Sequence, residues 1–174
     1  MPRLFTEEEK ILKGVEYHKI LQYIDLSSQS EEEIKSELKR LFDAGIISQE
    51  SFEEANLGDL LNCLNSPIMQ YAKTREVKRE QKFMISLPVN RLQNTTAEDK
   101  VLLQGVIDLL IIDREKGEAI VVDFKRSKAP AEILKERYKK QLELYKLAVE
   151  EIYHLKVSKT LLYVIGQNLT VEIN

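Results

Sequence analysis

The chain has 174 residues, of which 43% are hydrophobic, 32% charged and 7% aromatic, so it can bury a core and is too highly charged for a membrane protein and too apolar for a disordered one. The single cysteine, Cys63, excludes an internal disulfide framework and any self-contained four-cysteine zinc or iron–sulfur site, and the lack of a signal peptide or a run of roughly 18 apolar residues points to the cytoplasm. The net charge of −3 taken whole argues against nucleic acid, yet residues 1–60 carry 7 basic and 14 acidic side chains, residues 61–174 carry 19 and 15, and seven basic residues lie between Lys125 and Lys140 against Glu132 and Glu136.

Residues 6–73 read as helical. Thr6 followed by Glu7, Glu8 and Glu9 is a helix start, because a hydroxyl cap and acidic side chains suit the positive end; Ile11, Val15, His18 and Leu21 then recur at helical spacing. Ser30 with Glu33 resembles a capping box and opens a second helix through Ile34, Leu38, Leu41 and Phe42, which Gly45 ends. Ser48 caps a third, carrying Phe52, Leu60, Leu61 and Leu64, and a short fourth follows Pro67. From Val77 the period becomes two. Residues 77–88 read as a strand, 90–100 as polar and turn-like, and Val101–Ile112 and Ala119–Phe124 as two apolar strands joined by the tight Asp113–Glu118 connection. A long helix over 131–154 and a last hairpin, Thr160–Ile165 with Leu169–Glu172, complete an α+β order with a mixed sheet.

Several polar positions break these patterns. Asp108 interrupts the apolar run Gly105–Ile112, and a lone buried carboxylate costs several kcal/mol unless a cation, hydrogen-bond donors or a metal compensates it. Asp123 and Lys125 share a strand face at the end of the second run. A hairpin register centred between Glu115 and Lys116 pairs Ile112 with Ala119, Leu110 with Val121, and Asp108 with Asp123. Two carboxylates so opposed repel unless positive charge lies between them. A divalent metal with Lys125 beside it, or a structural Asp–Lys pair with Asp108 as third member, both meet that need. His18, on the apolar stripe beside Val15, reads first as a hydrogen-bonded core residue and only second as a ligand. Gln141, in the stripe Leu134, Tyr138, Gln141, Tyr145, Ala148, Ile152, needs a partner or an exposed edge; Tyr145 lies one turn on, on the same face. Glu80 in Arg79-Glu-Gln-Lys-Phe83 reads as a surface strand residue, and Cys63 as a buried thiol.

In this order the pieces resemble the RecB-like nucleases of the PD-(D/E)XK superfamily. Gly14-Val-Glu-Tyr-His18 is similar to the family's helical histidine motif, Gln104-Gly-Val-Ile-Asp108 to its second motif, Val122-Asp-Phe-Lys125 to its D-x-K, and Gln141-Leu-Glu-Leu-Tyr145 to its Q-x-x-x-Y. The layout, with Arg79–Phe83 and the final hairpin, is most similar to the C-terminal nuclease domain of AddA-type helicase–nuclease subunits, from about residue 6 to the end. One departure stands out: the family usually continues D-Y-K-T-D, and here the run is Asp123-Phe-Lys-Arg126-Ser127, replacing a Thr and an Asp that help arrange the turn.

The resemblance implies a restriction-endonuclease-like fold over 1–174 as one nuclease domain, a helical subregion (1–75) followed by a catalytic core (76–174), cut from a longer helicase–nuclease chain. It implies DNA phosphodiester hydrolysis with Mg²⁺ or Mn²⁺, held by His18, Asp108, Asp123 and the Phe124 backbone carbonyl. Lys125 would act on the attacking water, Gln141 and Tyr145 would position it and the substrate, and Glu80 would be a further ligand or water-orienting group. Arg126, Lys128, Lys135, Arg137, Lys139 and Lys140 form the expected DNA track. No iron–sulfur cluster is expected, and no P-loop is present for ATP. The partners implied are DNA, helicase domains of the same polypeptide and an AddB-type partner in double-strand-break repair, with no membrane. A stand-alone phage or defence nuclease, and a catalytically silent DNA-binding or docking module, are the competing readings.

Overall fold

The computed structural model of the chain describes residues 15–92, 96 and 99–173. The expected helix start at Thr6–Glu9 and its apolar position Ile11 lie outside these residues. The first helix described, α1 (Tyr17–Tyr23), buries Tyr17, Ile20 and Leu21. His18 therefore lies beside the apolar stripe rather than in it. Helix α2 (Glu31–Asp43) is capped by Ser30, whose hydroxyl accepts the Glu33 N–H, and buries Ile34, Leu38 and Leu41; Gly45 follows at φ +68, a conformation glycine adopts without strain.

The third helix expected from Ser48 to Leu64 is two. Helix α3 (Gln49–Glu54) starts on Ser48 and stops at Ala55, which is extended. Asn56 then caps α4 (Leu57–Asn65) by accepting the Asp59 N–H. The N-cap preference of asparagine overrides the continuing apolar spacing. Helix α5 (Pro67–Ala72) begins with proline at its first turn, behind the Ser66 cap, where the missing N–H costs nothing.

The sheet comprises β1 (Glu76–Pro88), β2 (Lys100–Asp113), β3 (Glu118–Arg126), β4 (Lys156–Ile165) and β5 (Leu169–Ile173), with helix α6 (Ala131–Tyr153) between β3 and β4. The order is β1-β2-β3-β4-β5. All neighbours are antiparallel except β3 and β4, whose parallel pairing requires the α6 crossover. This is the expected mixed α+β sheet. The β2–β3 register pairs Ile112 with Ala119 and Leu110 with Val121, as the tight connection demands.

Helices cover both faces. Ile20, Leu38, Leu60 and Leu64 pack on Leu109, Ile111, Val122, Phe124 and Tyr163, while Leu134, Leu142, Ala148 and Val149 of α6 pack on Leu110, Ile112, Val121, Leu162 and Val164. Double coverage explains why β2 and β3 read as nearly unbroken apolar runs.

One irregularity positions the site. Odd-numbered residues of β1 and β2 face the N-terminal helices at Val77, Leu109 and Ile111, but at Phe83, Ile85, Leu87 and Ile107 they face α6. The alternation slips by one between Val77 and Phe83 on β1 and between Ile107 and Leu109 on β2. Glu80, at φ +50, and Asp108 lie at the slip. Val106, across the slip from Leu110 and Ile112, is only half-buried.

Candidate active site

The β2–β3 ladder ends at Leu109↔Val122. One step further the same register sets Asp108 against Asp123, where backbone pairing has ceased. The next backbone groups of β3 meet side chains instead. The Phe124 N–H donates to Asp108 Oδ2 at 2.8 Å, and its carbonyl oxygen lies 3.0 Å from His18 Nε2, itself 3.2 Å from Asp108 Oδ2. The imidazole nitrogen thus faces the same carboxylate and the same backbone carbonyl. Asp108, Asp123 and Lys125 are 3%, 1% and 4% exposed, a concentration of buried charge that needs compensation.

Asp123 is held from two sides. Its Oδ1 accepts from Gln141 Nε2 at 3.3 Å, and Lys125 Nζ lies 2.9 Å from Oδ2. Burial pushes its carboxyl upward; the Lys125 charge opposes this and the Asp108 charge adds to it. Gln141 Nε2 also donates to the Tyr145 hydroxyl at 2.8 Å. Burial, with the Asp123 charge next, pushes that hydroxyl up to about 12, so it stays protonated. Tyr145 meets Phe83 edge to face, with centroids 5.7 Å apart, and Phe83 is paired across the strands with Gly105.

Glu80 sits on β1 between the pairs Arg79↔Leu109 and Gln81↔Ile107, so Glu80, Asp108 and Asp123 form one row across three strands. A glutamate at positive φ is uncommon within a strand. Arg79, its neighbour, donates from Nη1 to the carbonyls of Leu21 at 3.2 Å and Ile24 at 2.7 Å, fastening the C-terminal end of α1 to β1. At the other end, Glu16 Oε2 accepts from the Ser48 N–H at 2.9 Å and the Ser51 hydroxyl at 3.1 Å. These two anchors fix the helix that carries His18. Nothing in the sequence pattern points to Arg79 in this role.

The departure at Arg126-Ser127 has a structural counterpart. The Ser127 hydroxyl accepts the Ala129 N–H at 3.1 Å, a local turn that serine supports, and Gln167 Nε2 donates to the Ser127 and Ala129 carbonyls. Arg126 stacks over Tyr17 at 4.8 Å, and Lys125 Nζ lies 4.8 Å from the Tyr138 ring centroid. The basic run does not form one stripe. Arg137 lies one turn before Gln141 on the same side of α6, Lys135 pairs with Glu132, and Lys140 lines a separate groove with Arg91, Leu92 and Glu143. Lys128 and Lys139 are exposed.

Among the described residues no group of three or more His, Cys, Asp or Glu side chains is already gathered to hold a metal ion. The donor set still suits a hard divalent cation: two carboxylates, a backbone carbonyl and one imidazole. Asp123 Oδ2 is fully buried and accepts no well-aligned hydrogen bond, the state expected of an oxygen whose lone pair serves a cation.

Residues 3–172 match the family described as the PD-(D/E)XK nuclease superfamily. Among curated proteins, the chain is similar to an ATP-dependent helicase/nuclease subunit of Carboxydothermus hydrogenoformans, 32% identical over 99% of this chain and 15% of that protein. It is likewise similar to the proteins of the same name from Thermoanaerobacter sp. (strain X514), 30% identical over 92% and 14%, and Listeria welshimeri, 29% identical over 92% and 14%. The chain thus spans 14–15% of the length of these relatives.

Proposed function

The chain belongs to the PD-(D/E)XK nuclease superfamily, and from that premise we propose that it hydrolyses DNA phosphodiester bonds with Mg²⁺ or Mn²⁺, as the nuclease module, residues 1–174, of a longer helicase–nuclease. The observation that carries the reading is the break in the β2–β3 ladder, where Asp108, Asp123, Lys125 and the Phe124 carbonyl converge with His18 at the parted end of two inner strands.

His18, Asp108, Asp123 and the Phe124 carbonyl would hold the cation. When bound, it would supply Lewis acidity at the scissile phosphate. Lys125, its ammonium paired with Asp123, donates to the attacking water and offsets the negative charge that develops on the phosphate. Gln141 braces Asp123 and takes its own orientation from Tyr145. Glu80, in the row of Asp108, is placed to orient water or to add a ligand. Arg126 and Lys128, which follow Lys125 in the chain, and Arg137, one turn before Gln141, would be phosphate contacts; Lys135, Lys139 and Lys140 would extend the basic surface. The likeness to helicase/nuclease subunits supports a motor in the same polypeptide; an AddB-type partner and a cytoplasmic role in double-strand-break repair complete the proposal. Among the described residues no helix is long and apolar enough to cross a membrane.

The test is cleavage of single-stranded DNA with and without Mg²⁺ or Mn²⁺. The native chain should cleave, EDTA should stop it, and Lys125→Ala should lower kcat by about 10²–10³-fold with the fold intact, as expected for loss of a charged group acting on the transition state. Unchanged cleavage by Lys125→Ala would remove the assignment, and DNA binding without cleavage by the native chain would favour the silent docking module.

A further inference from the structure

Lys125 is buried at 4% exposure with the Asp123 carboxylate against it, Oδ2 at 2.9 Å from Nζ. On the proposed reading, that carboxylate is shared with a divalent cation. The ammonium would then stand beside added positive charge with this counterion partly withdrawn. The change weakens its hold on the site, and burial prevents water from compensating. A contact that does not depend on Asp123 would steady it.

An aromatic face supplies such a contact. Lys125 Nζ lies 4.8 Å from the centroid of the Tyr138 ring, within the ~6 Å over which a ring's quadrupole attracts a cation. Tyr138 is itself 4% exposed, and desolvation strengthens such a contact. Helix geometry fixes the arrangement. Tyr138, Gln141 and Tyr145 fall at three- and four-residue spacing on α6, so one helix face presents a ring to Lys125, an amide to Asp123 and a hydroxyl to that amide.

We propose that Tyr138 is a positioning residue, whose ring face retains the Lys125 ammonium at the site when Asp123 is engaged by the cation. The inference rests on the nuclease reading for its purpose, while the ring–ammonium contact stands independently of it. Because the face of the ring and not its hydroxyl makes the contact, the attraction should track the electron density of the ring.

The experiment replaces Tyr138 in the full chain with Phe, with mono-, di- and trifluorinated phenylalanines of nearly constant shape, and with Leu. Two measurements follow: kcat and KM for single-stranded DNA cleavage, and the NMR shift of the Lys125 ε-methylene protons in lysine-labelled protein. Tyr138→Phe should keep kcat within about twofold; each added fluorine should lower it stepwise, and Tyr138→Leu should lower it about tenfold, at constant KM. The ε-methylene signal should lie upfield in the native chain, from the ring current, and return to the ordinary lysine position in Tyr138→Leu. Equal kcat across the fluorinated series, with Lys125→Ala inactive, would overturn the proposal and leave the nuclease reading intact. An ordinary ε-methylene shift in the native chain would overturn it whatever the activity. The fluorinated variants preserve packing, so misfolding of Tyr138→Leu alone cannot decide the outcome.

Discussion

Where Gly105 lies, a Cβ would come within 2.8 Å of Phe83 Cζ and 3.3 Å of Tyr145 Cε1. The first distance is below any contact a real Cβ makes, and Phe83 cannot retreat without pressing on Tyr145, its edge-to-face partner. Tyr145 accepts the Gln141 amide, and Gln141 braces Asp123. Gly105→Ala should therefore destabilise the fold by about 1–3 kcal/mol through overpacking and lower cleavage by more than the unfolded fraction explains. Denaturant midpoints together with kcat on the folded protein check it. A kcat unaffected at full folding would show that Tyr145 shifts without disturbing Gln141. The sequence marks Gly105 only as the start of an apolar run and the second residue of a motif. Its physical reason, a ring from the neighbouring strand β1, is a tertiary fact that no local pattern contains.

Helix α1 has only seven residues, too few to hold a helix unaided, so the placing of His18 depends on what fastens that helix. Arg79 binds its last carbonyls, and Glu16 ties its start to Ser48 and Ser51. Arg79→Met should cost about 1–3 kcal/mol by leaving carbonyls unpartnered and should speed hydrogen exchange across Tyr17–Tyr23 ahead of α2. Exchange rising equally in both helices would contradict the clamp. Burial raises the Glu16 carboxyl, but hydrogen bonds from Lys19, Ser48 and Ser51 outweigh it and bring it to about 2, below its ordinary 4.5. A depressed folded value means the anchor stabilises fully above the ordinary range and loses its contribution as pH falls from there toward 2. At this scale the sequence was readable where local rules decide. Whereas β4 starts at Lys156, four residues before the expected Thr160, the Ser30 cap, the hairpin register and the bounds of β1, β2 and β5 follow from capping and periodicity. It misled where two local rules competed, as at Asn56, and where a strand slips its alternation at Glu80, since a positive φ on glutamate leaves no compositional trace. Asp108, Asp123 and Lys125 stood out because polar groups in apolar runs need partners; that they meet at a parted ladder required the sheet.

Across the whole molecule the two ends of the β2–β3 hairpin have opposite characters. At one end the strands separate and the candidate site fills the gap. At the other, Asp113 closes the hairpin: it accepts from the Tyr71 hydroxyl at 2.7 Å, Arg75 Nε at 2.9 Å and the Lys116 N–H at 3.1 Å. Arg75 also lies over the Tyr71 ring. This network joins α5 to the sheet and so holds the N-terminal helices, α1 among them, against the face from which His18 reaches Phe124. Net charge gave no hint of the division, because acidic helices and the basic segment from Lys125 to Lys140 cancel in the sum. The Tyr71 hydrogen bond, with Arg75 next, holds the Asp113 carboxyl far below its ordinary 3.8 despite its burial. The native state therefore binds fewer protons than the unfolded chain wherever Asp113 would ordinarily protonate, and stability must fall with pH there. The contribution is complete above pH ~4 and is lost progressively below it. Asp113→Asn should thus lower the urea midpoint at pH ~7, and the gap from the native protein should narrow as pH falls from ~4 toward ~2. Urea melts at pH values of about 7, 5, 4 and 3 decide it. A gap that stays constant with pH would mean that Asp113 acts by shape and hydrogen bonding alone, and that the carboxylate charge does not hold the helical layer to the sheet.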